Sequence, residues 1–418
     1  MNGGMVYVIG AGISGLSAAV ALAVRGAKVT IIETAPQAGG RCRSWFDAQL
    51  GGVIDNGNHL LLSGNHATFA YLKAIGAEDC VRGPDQARFS FCDVRTGTYW
   101  TIEPNVGVAP WWVLSGSRRV PGTRAIDYAK FAPLLFRHPG ARVRDVVACK
   151  GVLWDRLIRP LLLAALNTAP EEASADLARA VLNESLARGG ANCRPRIASP
   201  NLAAAFVEPA IAHLTRAGAH IRFGERVRAI RFDGSVATAL DLGEEQIALF
   251  PRDCVVLAIP PWIAVSLLPG VQAPDQTSAI VNAHFRASAP RSAPSIMGII
   301  GGSAEWIFAF PDRISVTVSA ADAILDRDRA ELAELLWSDV ATALGLPAML
   351  PPWQIVKEKR ATFLATPEQS ARRPSAVTQW PNLLLAGDWT ATGLPATIEG
   401  AVRSGQKAAH LALQSNSL

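Results

Sequence analysis

No apolar run in the 418-residue chain reaches the roughly 18–20 residues that a bilayer-spanning helix needs. The N-terminus passes directly into a strand-like run without the charged and apolar regions of a secretory signal, so the chain is expected on the cytoplasmic side. Cysteine is sparse: the six residues Cys42, Cys80, Cys92, Cys149, Cys193 and Cys254 form no C-x-x-C pair and no metal-ligand grouping. That argues against a disulfide framework or structural zinc and for reduced, structural thiols. Runs of basic charge and the aromatic motif of an RNA-binding sheet are also missing. The net charge of +5 comes mainly from dispersed arginine, so a nucleic-acid partner is not expected. There is no internal repeat and no low-complexity linker.

What is present begins with size, since the length exceeds one compact core and half of the residues are hydrophobic, which predicts two domains. The stretch VYVIGAGISGLSAAVALAVRGAKVTIIE, from Val6 to Glu33, reads as strand, glycine turn, helix and second strand. Gly10, Gly12 and Gly15 satisfy G-x-G-x-x-G: the first permits the tight turn, the second leaves room for a pyrophosphate, and the third lets helix and strand pack closely. With Ser14 they are candidate dinucleotide-binding residues, the phosphates lying at the helix N-terminus. Glu33 ends the second strand, where an acid suits the hydroxyls of an unphosphorylated ribose.

Three further segments distinguish between dinucleotides. Ala38-Gly39-Gly40-Arg41 follows the second strand, Glu225-Arg226-Val227-Arg228-Ala229-Ile230 lies mid-chain, and Leu383-Leu384-Leu385-Ala386-Gly387-Asp388 is an apolar strand ending in Gly-Asp. Together with the closing TGLPATIEGAVRSGQKAA they resemble the signatures of the flavin amine oxidase and carotenoid desaturase superfamily. The resemblance implies FAD, with Gly40 and Arg41 near its pyrophosphate, Val227 at the adenine, Gly387 and Asp388 at the ribityl or pyrophosphate region, and Ala396 and Thr397 facing the flavin from a helix start. It also implies an α/β fold in which a Rossmann-like FAD-binding domain with a parallel sheet is interleaved with an α+β substrate domain. Boundaries are expected at 1–76, 201–264 and 376–418 for the first and 77–200 and 265–375 for the second. No cysteine follows Cys254, so the flavin is expected to be noncovalent.

Within that superfamily, Asp55-Asn56-Gly57-Asn58-His59, PLLLAALNTAP and KEKRATFLAT resemble segments of the hydroxysqualene dehydroxylase family. Its members implicate reduced flavin in converting hydroxysqualene to squalene for hopanoid synthesis. The chemistry this implies is protonation of the allylic alcohol by an acid, loss of water, and hydride delivery from flavin N5 to the cation. His59 and Asp55 are the candidate catalytic residues, with His284 and Glu399 as further acids. Equally, Asp55 and His59 can simply pin their loop by hydrogen bonds. The runner-up activities are isoprenoid desaturation and amine oxidation, the latter with Lys357 or Lys359 near N5; a noncatalytic isoprenoid carrier is a third reading. No second G-x-G-x-x-G is present, so the electron donor is not legible.

The remaining pattern is structural. Hairpins are predicted over Phe89–Ile102 and around Pro311-Asp312-Arg313, and helices over Ala67–Gly76, Leu202–Arg216 and Leu325–Leu344. The segment from Gly151 to Leu186 is apolar on most sides and must be buried or line a cavity. Residues 106–144 combine Trp111, Trp112, Leu114 and Phe136 with Arg118, Arg119, Arg124, Lys130 and Arg137. That mixture suits either a peripheral contact with anionic lipid on the inner face of the membrane or ordinary helical core.

Overall fold

A computed structural model describes residues 4–415. The first layer is a five-stranded parallel sheet in the order His220–Phe223, Lys28–Glu33, Met5–Ile9, Cys254–Leu257, Leu383–Leu385. Its inner strands are short apolar runs; Val6, Val8, Ile31, Val255 and Val256 are fully buried, as expected for strands covered on both faces. The helices Ile13–Ala23 and Ile398–Ser415 pack against each other and against this sheet. A fully buried Val, Leu or Ile here contributes about 1.5–3 kcal/mol.

The second layer is a seven-stranded mixed sheet, ordered Trp353–Phe363, Thr277–Phe285, Ile314–Val318, Trp306–Ala309, Ile296–Ile300, Phe89–Asp93, Thr98–Ile102. Strand alternation decides what each face does. Val281, Ala283, Phe285, Ile314 and Val316 point into a core closed by Leu332, Leu336, Trp337 and Val340 of helix Arg329–Leu344. Asn282, His284, Ser315 and Thr317 alternate with them and turn to the polar side, towards residues 55–58.

Both predicted hairpins form, Phe89–Asp93 with Thr98–Ile102 and Trp306–Ala309 with Ile314–Val318. The helix predicted from Leu325 starts at Arg329, because Asp328 accepts from the amides of Ala330 and Glu331 and so caps it. Two helical stretches begin with a π turn, Trp154–Ile158 before Arg159–Leu166 and, within the predicted helix, Ala203–Val207 before Glu208–Arg216. In both, proline stands in the first turn of the α segment, where it has no N–H to complete the regular ladder. Residues 106–144 are irregular, with short helical turns: Trp112, Phe131 and Leu134 are buried, while Trp111, Leu114 and Phe136 are 69%, 62% and 67% exposed. No described helix is long and apolar enough to cross a membrane.

Candidate active site

The strand Met5–Ile9 delivers the chain to Gly10, whose φ of +101° and amide bond to Ile32 O at 2.8 Å turn it sharply. Gly12 caps the following helix. A Cβ there would meet nothing within 4 Å, whereas one at Gly15 would lie 1.9 Å from Gly10 O. The two glycines thus separate by role: Gly15 closes the helix onto the turn, and Gly12 faces open space. The turn after the second strand lies against this one, with the Gly39 amide donating to Ala11 O at 2.8 Å and Gly12 and Gly39 forming a bridge.

Beyond these turns lies a cavity of about 840 Å³. One end is lined by Gly10, Gly12, Ser14, Glu33, Gly40, Arg41, Val227, Gly387, Asp388, Ala396 and Thr397, gathered from distant parts of the chain. Glu33 accepts from the amides of Ala11 at 2.7 Å and Ala35 at 2.8 Å, and its remaining lone pairs leave it able to accept from a ribose. Arg41 Nη2 lies 2.7 Å from Asp388 Oδ2, and its other terminal nitrogen donates to Ala361 O. Asp388 holds the guanidinium above its ordinary pKa, so Arg41 stays charged. The walls then become apolar: Phe91, Leu157, Leu161, Val181, Trp306 and Phe308.

This cavity fits FAD on its own evidence. There is open space over Gly12 at a helix start, an acid at the ribose position, a charged arginine, and two buried oxygens on its wall, Asn56 Oδ1 and Asn58 Oδ1, with no partner.

The candidate acids fare differently. His59 lines the cavity, but burial, reinforced by the Arg41 charge, pushes it down to about 4, so it is neutral at neutral pH and holds no imidazolium proton to give. Asp55 is absent from the cavity wall and is only 3% exposed. Its carboxylate accepts from Ser44 Oγ at 2.6 Å, Leu202 N at 2.8 Å and Arg313 Nη2 at 3.2 Å. His284 is fully buried, its Nε2 donating to Asp55 O at 3.0 Å and its Nδ1 2.8 Å from Ser315 Oγ. Asp55 and His284 therefore tie the loop to the mixed sheet, and neither reaches the cavity. Glu399 borders the cavity with its carboxylate spent: it accepts from Ala67 N, Thr68 N, Thr68 Oγ1 and Arg403 Nε at 2.6–3.1 Å.

Lys357 donates to Leu325 O and Arg327 O, away from the cavity, and Lys359 is not on its wall either. Their neighbours Glu358 and Arg360 are on it. The period-2 alternation of KEKRATF would have revealed that, had the segment been read as a strand. Asn167, within the PLLLAALNTAP stretch, and Asn282, Thr317 and Ser319, which carried no motif, also line the cavity. Cys42, at the wall, is pushed up to about 12 by burial and is a neutral thiol.

The fold and the cavity together define a flavoenzyme. Residues 13–413 match the family model described as flavin containing amine oxidoreductase, and the chain belongs to that family of FAD-dependent oxidoreductases. Among solved structures it is similar to cyclohexylamine oxidase from Brevibacterium oxydans, with a TM-score of 0.70 over 99% of each chain at 18% identity, a likeness of fold. Its sequence relatives narrow the family further. It is 52% identical over 409 residues to hydroxysqualene dehydroxylase from Rhodopseudomonas palustris and 51% over 408 residues to that from Sinorhizobium fredii, each alignment covering 98% of both chains. The chain is a member of the hydroxysqualene dehydroxylase family.

Proposed function

We propose that the protein reductively dehydroxylates hydroxysqualene to squalene. The observation that carries this reading is the continuity of the cavity, which runs from the FAD-binding turns into walls of Leu157, Leu161, Phe91, Trp306 and Phe308. An acyclic polyene buries apolar surface along such walls at about 25 cal/mol per Å². Gly10, Gly12, Ser14, Glu33, Gly40, Arg41, Val227, Gly387, Asp388, Ala396 and Thr397 would hold FAD, which when bound and reduced would supply hydride to replace the hydroxyl. The chain orients the alcohol and keeps water from the allylic cation. Neutral His59 offers one N–H to a substrate oxygen without acting as the acid. Gly15 supports binding indirectly, through the packing of helix on turn.

We read the chain as two interleaved bodies, 1–76, 201–264 and 376–418 against 77–200 and 265–375. Every strand of the parallel sheet comes from the first set and every strand of the seven-stranded sheet from the second. We also read exposed Trp111, Leu114 and Phe136, beside exposed Arg124, Lys130 and Arg137, as a peripheral contact with anionic lipid. A polyene reaching the cavity from a bilayer avoids passage through water.

The test is product analysis. Holoenzyme incubated with hydroxysqualene and a chemical reductant should yield squalene. A more unsaturated polyene from a saturated precursor, or an aldehyde from an amine, with no squalene formed, would replace the reading with a desaturase or an amine oxidase.

A further inference from the structure

None of the acids expected from the sequence is free to give a proton, with His59 neutral and Asp55, His284 and Glu399 committed elsewhere, and on the wall Glu358 accepts from Asn56 Nδ2 at 3.2 Å. Glu305 stands in the connection between strands Ile296–Ile300 and Trp306–Ala309, next to the cavity residue Trp306. Its Oε2 accepts from the amide of Ser319 at 2.7 Å, which brings the Ser319 side chain beside the same carboxyl. Ser319 itself is on the cavity wall. The next amide, Ala320 N–H, donates to Asn167 Oδ1 at 2.6 Å. Asn167 and Ala320 are the two non-glycine residues with left-handed backbone among those described, with φ of 47° and 45°. Such backbone is unfavourable for residues bearing a Cβ and persists where the surroundings hold it. Here two side chains, Glu305 and Asn167, grip successive amides and fix the backbone at Ser319, a residue of the cavity wall. Two residues back along the chain, Thr317 accepts from Asn58 Nδ2 at 3.1 Å, so this strand also touches the segment that carries His59.

We propose that Glu305 is the proton source for the departing hydroxyl and that Ser319 relays the proton into the cavity. The inference rests on the dehydroxylase reading. In the step, the Ser319 O–H bond breaks as its proton passes to the substrate hydroxyl oxygen, while the Glu305 proton passes to Ser319 Oγ. The substrate C–O bond then breaks and water leaves with the electron pair; the hydride that replaces it, carrying two electrons, would come from FAD when it is bound and reduced. Glu305, left as carboxylate, regains a proton from water before the next turnover. Its environment suits this: burial pushes the carboxyl up to about 7, partly offset by Ser319 and the charge of Arg159. The other charged groups on the surrounding elements are committed, Asp322 to Ser278 and Ala279 and Asp339 to the amides of Ser303 and Ala304.

The experiment measures reoxidation of the anaerobically reduced holoenzyme by hydroxysqualene as a function of pH. The wild-type rate should fall as pH rises through about 7. Glu305→Gln keeps an acceptor for the Ser319 amide; it should bind FAD normally, react at least about 100-fold more slowly and lose that pH limb. Glu305→Asp should restore part of the limb. A Glu305→Gln rate within twofold of wild type, with the limb intact, overturns the proposal while leaving the dehydroxylase reading in place. Failure of the wild type to react overturns both. If Glu305→Gln does not retain FAD, Ser319→Ala decides, because it leaves the backbone contact and removes only the hydroxyl: a matching loss supports the relay, and an unchanged rate ends it.

Discussion

Alanine at Gly12 and alanine at Gly15, three residues apart in one motif, should fail in different ways. Gly12 has φ −72° and ψ 177°, which alanine adopts freely, and its added Cβ would meet nothing within 4 Å. Gly12→Ala should therefore leave the apoprotein at wild-type stability or raise it by up to about 1 kcal/mol, through the smaller entropy of the unfolded chain. The same methyl would occupy the space where the cofactor pyrophosphate approaches the helix start. Displacement of that contact costs about 1–3 kcal/mol, or about 5- to 150-fold in FAD affinity. At Gly15 the methyl would lie 1.9 Å from Gly10 O and 3.1 Å from Ala258 Cβ. Carbon atoms in contact prefer about 3.5–4.0 Å, so the helix must back away from the sheet by more than an ångström, losing about 1–3 kcal/mol or more. Urea unfolding of the apoprotein and FAD titration by flavin fluorescence separate the two. Wild-type FAD affinity in Gly12→Ala, or equal loss of apoprotein stability in both variants, would refute the reasoning.

Glu33→Gln should weaken FAD about tenfold by removing a charge-assisted acceptor at the ribose, and should also destabilise the apoprotein by about 1–3 kcal/mol, because its NH2 group leaves the amide of Ala11 or Ala35 without an acceptor; equilibrium titration and urea unfolding check the two losses. Asp55→Ala should destabilise by about 3–5 kcal/mol, because it strands Arg313, itself buried, without its carboxylate. Denaturation of the apoprotein reads this loss, and a variant of normal stability but no activity would instead return Asp55 to the chemistry. His284, pushed down to about 3 by burial and the Arg313 charge, is neutral when folded, so its contribution is fully present above about pH 6.5 and is lost as pH falls towards 3. The stability gap between wild type and His284→Asn should shrink over that range, and a gap independent of pH would exclude His284 as its source. Trp111→Ser with Phe136→Ser should reduce co-sedimentation with anionic vesicles and leave turnover of detergent-dispersed substrate unchanged; undiminished binding would remove this surface from the membrane contact.

Much of the fold was legible because it depends on local pattern. Short apolar runs gave buried parallel strands, alternation at Trp306, Phe308, Ile314 and Val316 gave a hairpin, and a G-x-G-x-x-G after Ile9 gave the turn and its helix. The cavity lies where the glycine turns and the Gly-Asp strand meet, although Arg41 and Asp388 are 347 positions apart. The identity of an acid was not legible in the same way. What a carboxylate or imidazole does depends on partners far along the chain: Asp55 is held by Arg313, 258 positions on, and Glu399 by Thr68, 331 positions back. The motif Asp55-Asn56-Gly57-Asn58-His59 places adjacent residues on opposite duties, His59 at the cavity and Asp55 behind it. Glu305 and Ser319 belong to no motif, and only the pairing of two strands brings them together.

The most direct test of the central claim is a single turnover without oxygen. The purified holoenzyme is reduced, mixed with hydroxysqualene, and followed by flavin absorbance while the organic phase is assayed. Reoxidation with one squalene formed per flavin is the predicted result. Flavin that stays reduced with substrate bound and no squalene in the extract would contradict the account.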